Sequence, residues 1–225
     1  MGKSIEGELE LALSQVLRQP VALQAASRTD AGVHAEGQVV NFFLNSPLKN
    51  LPHWNYRFNS CLPRDIRILS IEDQAIDFHP TLNAKKKQYT YWICNDPVQS
   101  PFLRHLSWHV PQPLDIALID AAMPHLLGTH DFSSFCNDRI LFLRSPICTL
   151  TALRITPMQD NRFHLMIEGD HFLYRMARNI TGTLVDVGRK KISIDRFRSI
   201  LPAKDRTVAG MTAPAHGLRL SSVLY

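Results

Sequence analysis

The chain has 225 residues, 45% hydrophobic and 20% charged, enough to bury one large core or two small ones, as in a soluble globular protein. Lys and Arg number 25 against 20 Asp and Glu, a formal charge of +5 that leans toward a polyanionic partner. No apolar run reaches spanning length and no signal-peptide pattern opens the sequence, so membrane and secretory roles are unsupported.

In chain order, Ile5, Leu9, Leu13, Val16 and Leu17 recur on one face at the helical period, predicting an amphipathic helix over 5–18 that Pro20 stops. Residues 21–26 read as a short strand, 29–32 as a turn, and 37–44 as a buried strand. A short helix is predicted over 54–61, and Ile66, Ile68 and Leu69 give 65–71 a strand pattern. Aromatic and β-branched residues after a lysine run predict a strand over 85–94. The proline-rich stretch after it has no period and reads as a wrapping loop. A helix follows over 115–127, with Pro124 unsettling its end, then strands over 147–157 and 162–168. Phe172, Met176, Ile180, Leu184 and Val187 mark a long helix, and a short helix over 193–201 and a strand over 218–224 close the chain.

The second half therefore runs strand, helix, strand, strand, helix, strand, which is the ferredoxin-like split βαβ order, and the first half has the same order without its opening strand. The expected fold is α+β: two tandem ferredoxin-like halves, 1–105 and 106–225, forming a continuous, mainly antiparallel sheet with helices on one face. The first strand is missing, which implies either a start codon assigned too late or a truncated chain.

Cys61, Cys94, Cys136 and Cys148 show no C-x-x-C pairing, which suggests reduced thiols in a cytoplasmic setting. His125 and His130 are five apart, wrong for two metal ligands on one helical face, and there is no H-E-x-x-H, P-loop or dinucleotide fingerprint. The stretch "ASRTDAGVHAEGQVVNF", residues 25–41, displays Arg28, Thr29 and Asp30 at one strand end, with His34 close behind. Asp before Ala-Gly is ordinary turn chemistry, yet loops at strand ends carry function more often than strands do.

That stretch is similar, almost position for position, to the catalytic motif of the TruA family of tRNA pseudouridine synthases. "SIEGELELALSQVL", "FNSCLPRDIRIL", "DFHPTLNAKKKQYTYWI", "HDFSSFC", "FLYRMARNITGTLVDVG" and "LPAKDRTVAGMTAPAHGLRL" resemble further family segments in order, so nearly the whole chain is covered. The resemblance implies isomerisation of uridine to pseudouridine at positions 38–40 of the tRNA anticodon stem-loop by a homodimer. Atoms are conserved in that reaction, so no metal or redox cofactor is implied. Asp30 matches the family's catalytic aspartate and Arg178 its cationic partner; Tyr89 matches the tyrosine stacked on the target base and Leu218 an apolar pocket residue. Arg28 would fill the space left by the flipped base. Arg64, Arg67, Lys85, Lys86, Lys87, Arg189, Lys190 and Lys191 are candidate phosphate contacts.

Two rival readings exist. A non-catalytic RNA-binding homologue would use surface aromatics on a ferredoxin-like sheet, but the chain has no RNP-type octet and a binder has no use for Asp30 beside Arg28. An acid–base hydrolase built on Asp30 and His34 would need a second acid or a nucleophile at a workable spacing, and none is evident.

Overall fold

In the computed structural model, which describes residues 4–137 and 145–225, helix α1 (Ile5–Leu17) begins where Ser4, in extended geometry, accepts a hydrogen bond from the Gly7 amide at 3.1 Å. A serine cap of this kind satisfies one of the first-turn amides that have no partner inside the helix. Arg18 ends the helix in the left-handed region, φ 56°, two residues before Pro20. Three two-residue strands follow, β1 (Gln24–Ala25), β2 (His34–Ala35) and β3 (Val40–Asn41). Helix α2 (Leu51–Cys61) then opens on Asn50, whose side chain accepts from the His53 amide. It starts three residues earlier than expected because Pro52 lies in the first turn, where a missing N–H costs nothing.

The chain divides into two compact units that interleave in sequence: Met1–Ser27 with Val39–Asn83, and Arg28–Gln38 with Ala84–Tyr225. In the first, Leu13, Val21, Leu23 and Phe58 are buried together, and β1 pairs antiparallel with β3. The buried strand expected over 37–44 is reduced to Val40–Asn41, and Phe43 is exposed. The strand expected over 65–71 does not form. Amides of α2 take the place of a neighbouring strand: Asn59 Oδ1 accepts from the Ile68 amide at 2.9 Å and Asn59 Nδ2 donates to the Ile68 carbonyl at 2.9 Å. Asn55 Nδ2 likewise donates to the Leu69 carbonyl at 3.1 Å.

The second unit holds the strands β4 (Lys86–Cys94), β5 (Trp108–His109), β6 (Gly128–Asp131), β7 (Ile147–Met158), β8 (Arg162–Gly169) and β9 (Leu218–Leu224). With β2 they make a seven-stranded sheet of order β2-β9-β4-β8-β7-β6, with β5 beside the end of β4. The β2–β9 and β4–β5 pairs are parallel and the others antiparallel, so the protein is α+β with a mostly antiparallel sheet. Helices α3 (Ile116–Ala122), α4 (Met176–Gly188), α5 (Ile194–Arg198) and α6 (Ile200–Ala203) complete the unit. The described strands form two sheets and not the single continuous one expected, since β1 and β3 pair only with each other.

Side chains alternate across a strand, and β4 buries Lys87, Tyr89, Tyr91 and Ile93 on one face. Tyr89, Tyr91 and Ile93 form one core with Leu165 and Ile167 of β8, Leu218 and Leu220 of β9, Ile119 of α3, and Met176, Ile180, Leu184 and Val187 of α4. Helix α4 starts at Met176 and not at Phe172, because Arg175 takes a left-handed φ of 60° that breaks the expected run. Strand β6 escapes sequence prediction because Gly128–Asp131 is a polar edge with no apolar alternation. No helix among the described residues is long and apolar enough to cross a membrane.

All four cysteines are thiols outside any disulfide, with Cys61 exposed and Cys94, Cys136 and Cys148 buried. Burial, followed by the nearby Asp170, Cys136 and Asp131, pushes the Cys148 thiol up to about 12. The thiolate is the reactive form, so a thiol reagent at mildly alkaline pH should label one cysteine in the native protein and four after denaturation. Cys61→Ser should bring the native count to zero, and labelling of a second native thiol would contradict this packing.

Candidate active site

The loop carrying Asp30 is held from both sides of its turn. The Val33 amide donates to the Asp30 carbonyl at 3.0 Å, closing a turn in which Gly32 sits at φ 85°, a conformation that a side chain would strain. Downstream, β2 runs parallel to β9, and the amides of Glu36 and Gly37 both donate to the Leu220 carbonyl, at 2.8 and 3.2 Å. His34 Nε2 lies 2.8 Å from the His105 carbonyl, and Arg219 Nη1 donates to Glu36 Oε1 at 2.7 Å.

Opposite this loop stands the first turn of α4. Arg178 Nη1 donates to Asp30 Oδ2 at 2.5 Å, across 148 residues of sequence. Arg178 Nε donates to the Ala213 carbonyl at 2.8 Å, and the Ala213 amide donates back to the Arg178 carbonyl at 3.1 Å. With Asp30 at 20% and Arg178 at 14% side-chain exposure, the pair is largely withdrawn from water. A carboxylate withdrawn from water is balanced by a facing guanidinium, and this one is fixed at one further point, Nε on the Ala213 carbonyl, while the Ala213 amide holds the Arg178 backbone. Arg175 Nε lies 3.8 Å from the same carboxylate oxygen, a contact that sequence reasoning missed. Helical spacing does not signal it, because Arg175 caps α4 from outside in a left-handed conformation.

The segment that holds Arg178 is itself fixed by a buried polar network. Asn179 Nδ2 donates to the Phe135 carbonyl and to Asn137 Oδ1, both at 2.7 Å, while its Oδ1 accepts from Thr212 Oγ1 at 2.6 Å and Arg206 Nη2 at 3.0 Å. Thr183 Oγ1 accepts from the Gly210 amide at 3.0 Å. The strand of chain leading to Ala213 lies directly on α4, since a Cβ at Gly182 would come within 1.8 Å of the Met211 carbonyl oxygen. Next to it, the fully buried Tyr91 donates its hydroxyl to the Pro214 carbonyl at 2.7 Å. Burial pushes that phenol well above its ordinary range, against a smaller opposing pull from the Arg178 charge. Burial, together with the nearby His105, His34 and Arg178, holds His216 below the ordinary imidazole range, opposed in part by a hydrogen bond with the Ser107 backbone.

Of the residues expected at a site, Asp30 and Arg178 meet directly. Arg28 is exposed two residues away and makes no hydrogen bond or ion pair among the described residues. Tyr89 is only 5% exposed, its ring edge-on to Phe172 with centroids 4.9 Å apart. Leu218 is buried at the start of β9, opposite Tyr91. The basic residues scatter. Lys86 pairs with Glu168 at 2.8 Å, and Lys87 is buried, which lowers its pKa. Arg189 and Lys190 follow the far end of α4, about 16 Å along its axis from Arg178 at a rise of about 1.5 Å per residue, and Lys190 pairs with Asp115 at 3.2 Å. Lys191 faces Asp186 at 3.9 Å, and Lys85 is exposed. In the first compact unit Arg64 is exposed, and Arg67 donates to the Pro63 carbonyl at 2.6 Å. Among the described residues no three His, Cys, Asp or Glu side chains gather in a way that would hold a metal ion.

Comparison with known proteins follows the same residues. A family model described as tRNA pseudouridine synthase matches residues 122–225. The chain is 46% identical over 225 residues to tRNA pseudouridine synthase A 2 of Protochlamydia amoebophila, covering 100% of this chain and 86% of that protein. It is 42% identical over 224 residues to tRNA pseudouridine synthase A of a Thermoanaerobacter species, covering 99% of this chain and 90% of the relative. Tthe corresponding protein of Moorella thermoacetica is 39% identical over 227 residues, with 100% and 90% covered.

Asn179→Ala would strand donors of Arg206 and Thr212 in a buried setting. It should lower stability by about 2–4 kcal/mol, read as a lower urea midpoint at an unchanged slope. A loss under about 0.5 kcal/mol would mean that water replaces the amide and that the network does not fix the segment.

Proposed function

The chain belongs to the tRNA pseudouridine synthase A family, and we propose that it converts uridine to pseudouridine within tRNA with Asp30 and Arg178 as its reacting pair. The observation that carries the assignment of these residues is the 2.5 Å ion pair between them, formed by the two segments, "RTDAG" and "FLYRMARNI", that most resemble the family's catalytic motifs.

The reaction breaks the N1–C1′ glycosidic bond, turns the uracil and joins C5 to C1′. C5 gives up a proton and N1 gains one, so the product has the composition of the substrate. An ionised carboxylate serves this chemistry by bonding covalently to the nucleotide or by stabilising a cationic sugar. Both contacts described above fall on Asp30 Oδ2, so Oδ1 takes part in neither. Arg178 acts on Asp30 and not on the substrate: it holds the charge and aims the carboxylate.

A base within a stem must be flipped out to reach Asp30, at a cost of a few kcal/mol that new contacts repay. In this reading the target lies at positions 38–40 of the anticodon stem-loop. Exposed Arg28 fills the vacated space, Tyr89 and Leu218 line the base pocket, and Arg64, Lys86, Lys87, Arg189 and Lys190 contribute positive charge along the RNA. Tyr89 would have to turn outward from Phe172 to meet the base. The protein works in the cytoplasm as a homodimer. Its halves, 1–105 and 106–225, are tandem ferredoxin-like units. What supports a ferredoxin-like unit is the order β9-β4-β8-β7, with α3 between β4 and β7 in the chain and α4 between β8 and β9, although β4 (Lys86–Cys94) precedes residue 106.

Release of tritium from C5-labelled uridine in an unmodified tRNA transcript tests the reaction. Asp30→Ala should release none above background while binding tRNA within about tenfold of the parent, because phosphate contacts supply most of the affinity. Residual turnover would remove Asp30 from the chemistry. Arg178→Lys should retain more activity than Arg178→Met, since a point charge still faces the carboxylate where a thioether cannot. Equal losses would reduce Arg178 to packing.

A further inference from the structure

We propose that Arg175, carried on the ring of Tyr174, is an RNA-backbone clamp at the mouth of the site, its guanidinium taking a phosphate beside the target nucleotide. The proposal rests on the reading of Asp30 and Arg178 as the reacting pair.

The two arginines that face Asp30 are not equivalent. Arg178 is hydrogen-bonded at both Nη1 and Nε and is mostly buried. Arg175 is 38% exposed, and its Nε at 3.8 Å from Asp30 Oδ2 is within electrostatic reach but too far for a hydrogen bond. A guanidinium carries five donors in a fork that matches phosphate oxygens, and among the described residues those of Arg175 face no other anion. The charges point the same way. One carboxylate set between two guanidiniums leaves a net +1, with unpaired Arg28 close by in sequence, so the cluster accommodates a further anion.

The root of the side chain is fixed while its tip is free. Arg175 holds a left-handed φ of 60°, which costs a residue with a side chain about 1 kcal/mol or more and persists only when neighbours enforce it. Neighbours do: the Arg175 carbonyl accepts from the Asn179 amide at 2.9 Å, and the Tyr174 carbonyl from the Asn137 amide at 3.2 Å. The guanidinium carbon then lies 4.8 Å from the centroid of the half-exposed Tyr174 ring. A cation–π contact of this sort orients the guanidinium without consuming its donors. When RNA enters, Arg175 exchanges a loose contact with Asp30 for a charge-assisted bond to phosphate, and Arg178 stays hydrogen-bonded to the carboxylate throughout.

The test is the affinity of the full chain for an unmodified tRNA transcript across a series of monovalent salt concentrations, alongside the single-turnover rate at saturating tRNA. Arg175→Met should weaken binding about tenfold and reduce the slope of log affinity against log salt by about 1, the signature of one lost phosphate contact. Arg175→Lys should keep the slope. Tyr174→Leu should weaken binding several-fold with the slope unchanged, because the ring carries no charge. The saturated rate of Arg175→Met should fall by less than its affinity does. An unchanged slope in Arg175→Met overturns the clamp, and an unchanged slope with a hundredfold loss of saturated rate would make Arg175 a second partner of Asp30 instead. The slope is read without turnover, so a reduced slope in a protein that isomerises no uridine would leave the clamp standing while the proposed reaction failed.

Discussion

The contact between Asp30 and Arg178 is the constraint around which the second compact unit is arranged. Neither group has a reason to be withdrawn from water by itself, and each alone would lose favourable hydration. Together they are tolerable only if their geometry is held closely. That demand explains why so much nearby chain is tied down: the loop of Asp30 along β9 on one side, and Ala213 on Arg178 from the other.

The holding is hierarchical. Arg178 depends on the Ala213 carbonyl, and the segment before Ala213 depends on Asn179, Thr183 and the bare face of Gly182 on the same helix. Helix α4 therefore supplies both the cation that faces Asp30 and the surface on which its support is laid. Its apolar side, through Met176, Ile180, Leu184 and Val187, anchors it to the sheet. A helix that packs with one face and aligns a polar network with another restricts how its first turn can move, which is what a site needs when a small misplacement costs rate.

Parts of this were legible in the sequence, and the failures share a cause. Helix α1 and strands β4 and β8 bury one face, so the spacing of Leu9, Leu13, Val16 and of Tyr89, Tyr91, Ile93 reports them directly. Residues 65–71 carry the same apolar alternation but pair with side-chain amides of Asn55 and Asn59, and no periodicity encodes that substitution. Strand β5 is two residues long and exists because β4 extends past the end of β9. At the site, Asp30 and Arg178 could be named from motif resemblance. Arg175 could not, because only the left-handed turn at its own position aims it at Asp30.

The placement of residues 28–38 shows how an exposed loop becomes a precise one. Its turn is closed where the Val33 amide donates to the Asp30 carbonyl at 3.0 Å. Its far limb joins the large sheet through β2. Fixing a loop at its turn and along its far limb removes much of its conformational freedom in advance, so less of that entropy remains to be lost when a ligand binds. Arg28, in the same loop and without a partner among the described residues, keeps its side-chain freedom. Backbone rigidity at Asp30 and side-chain freedom at Arg28 suit different tasks, a rigid group holding one position and a free one adapting to what approaches it.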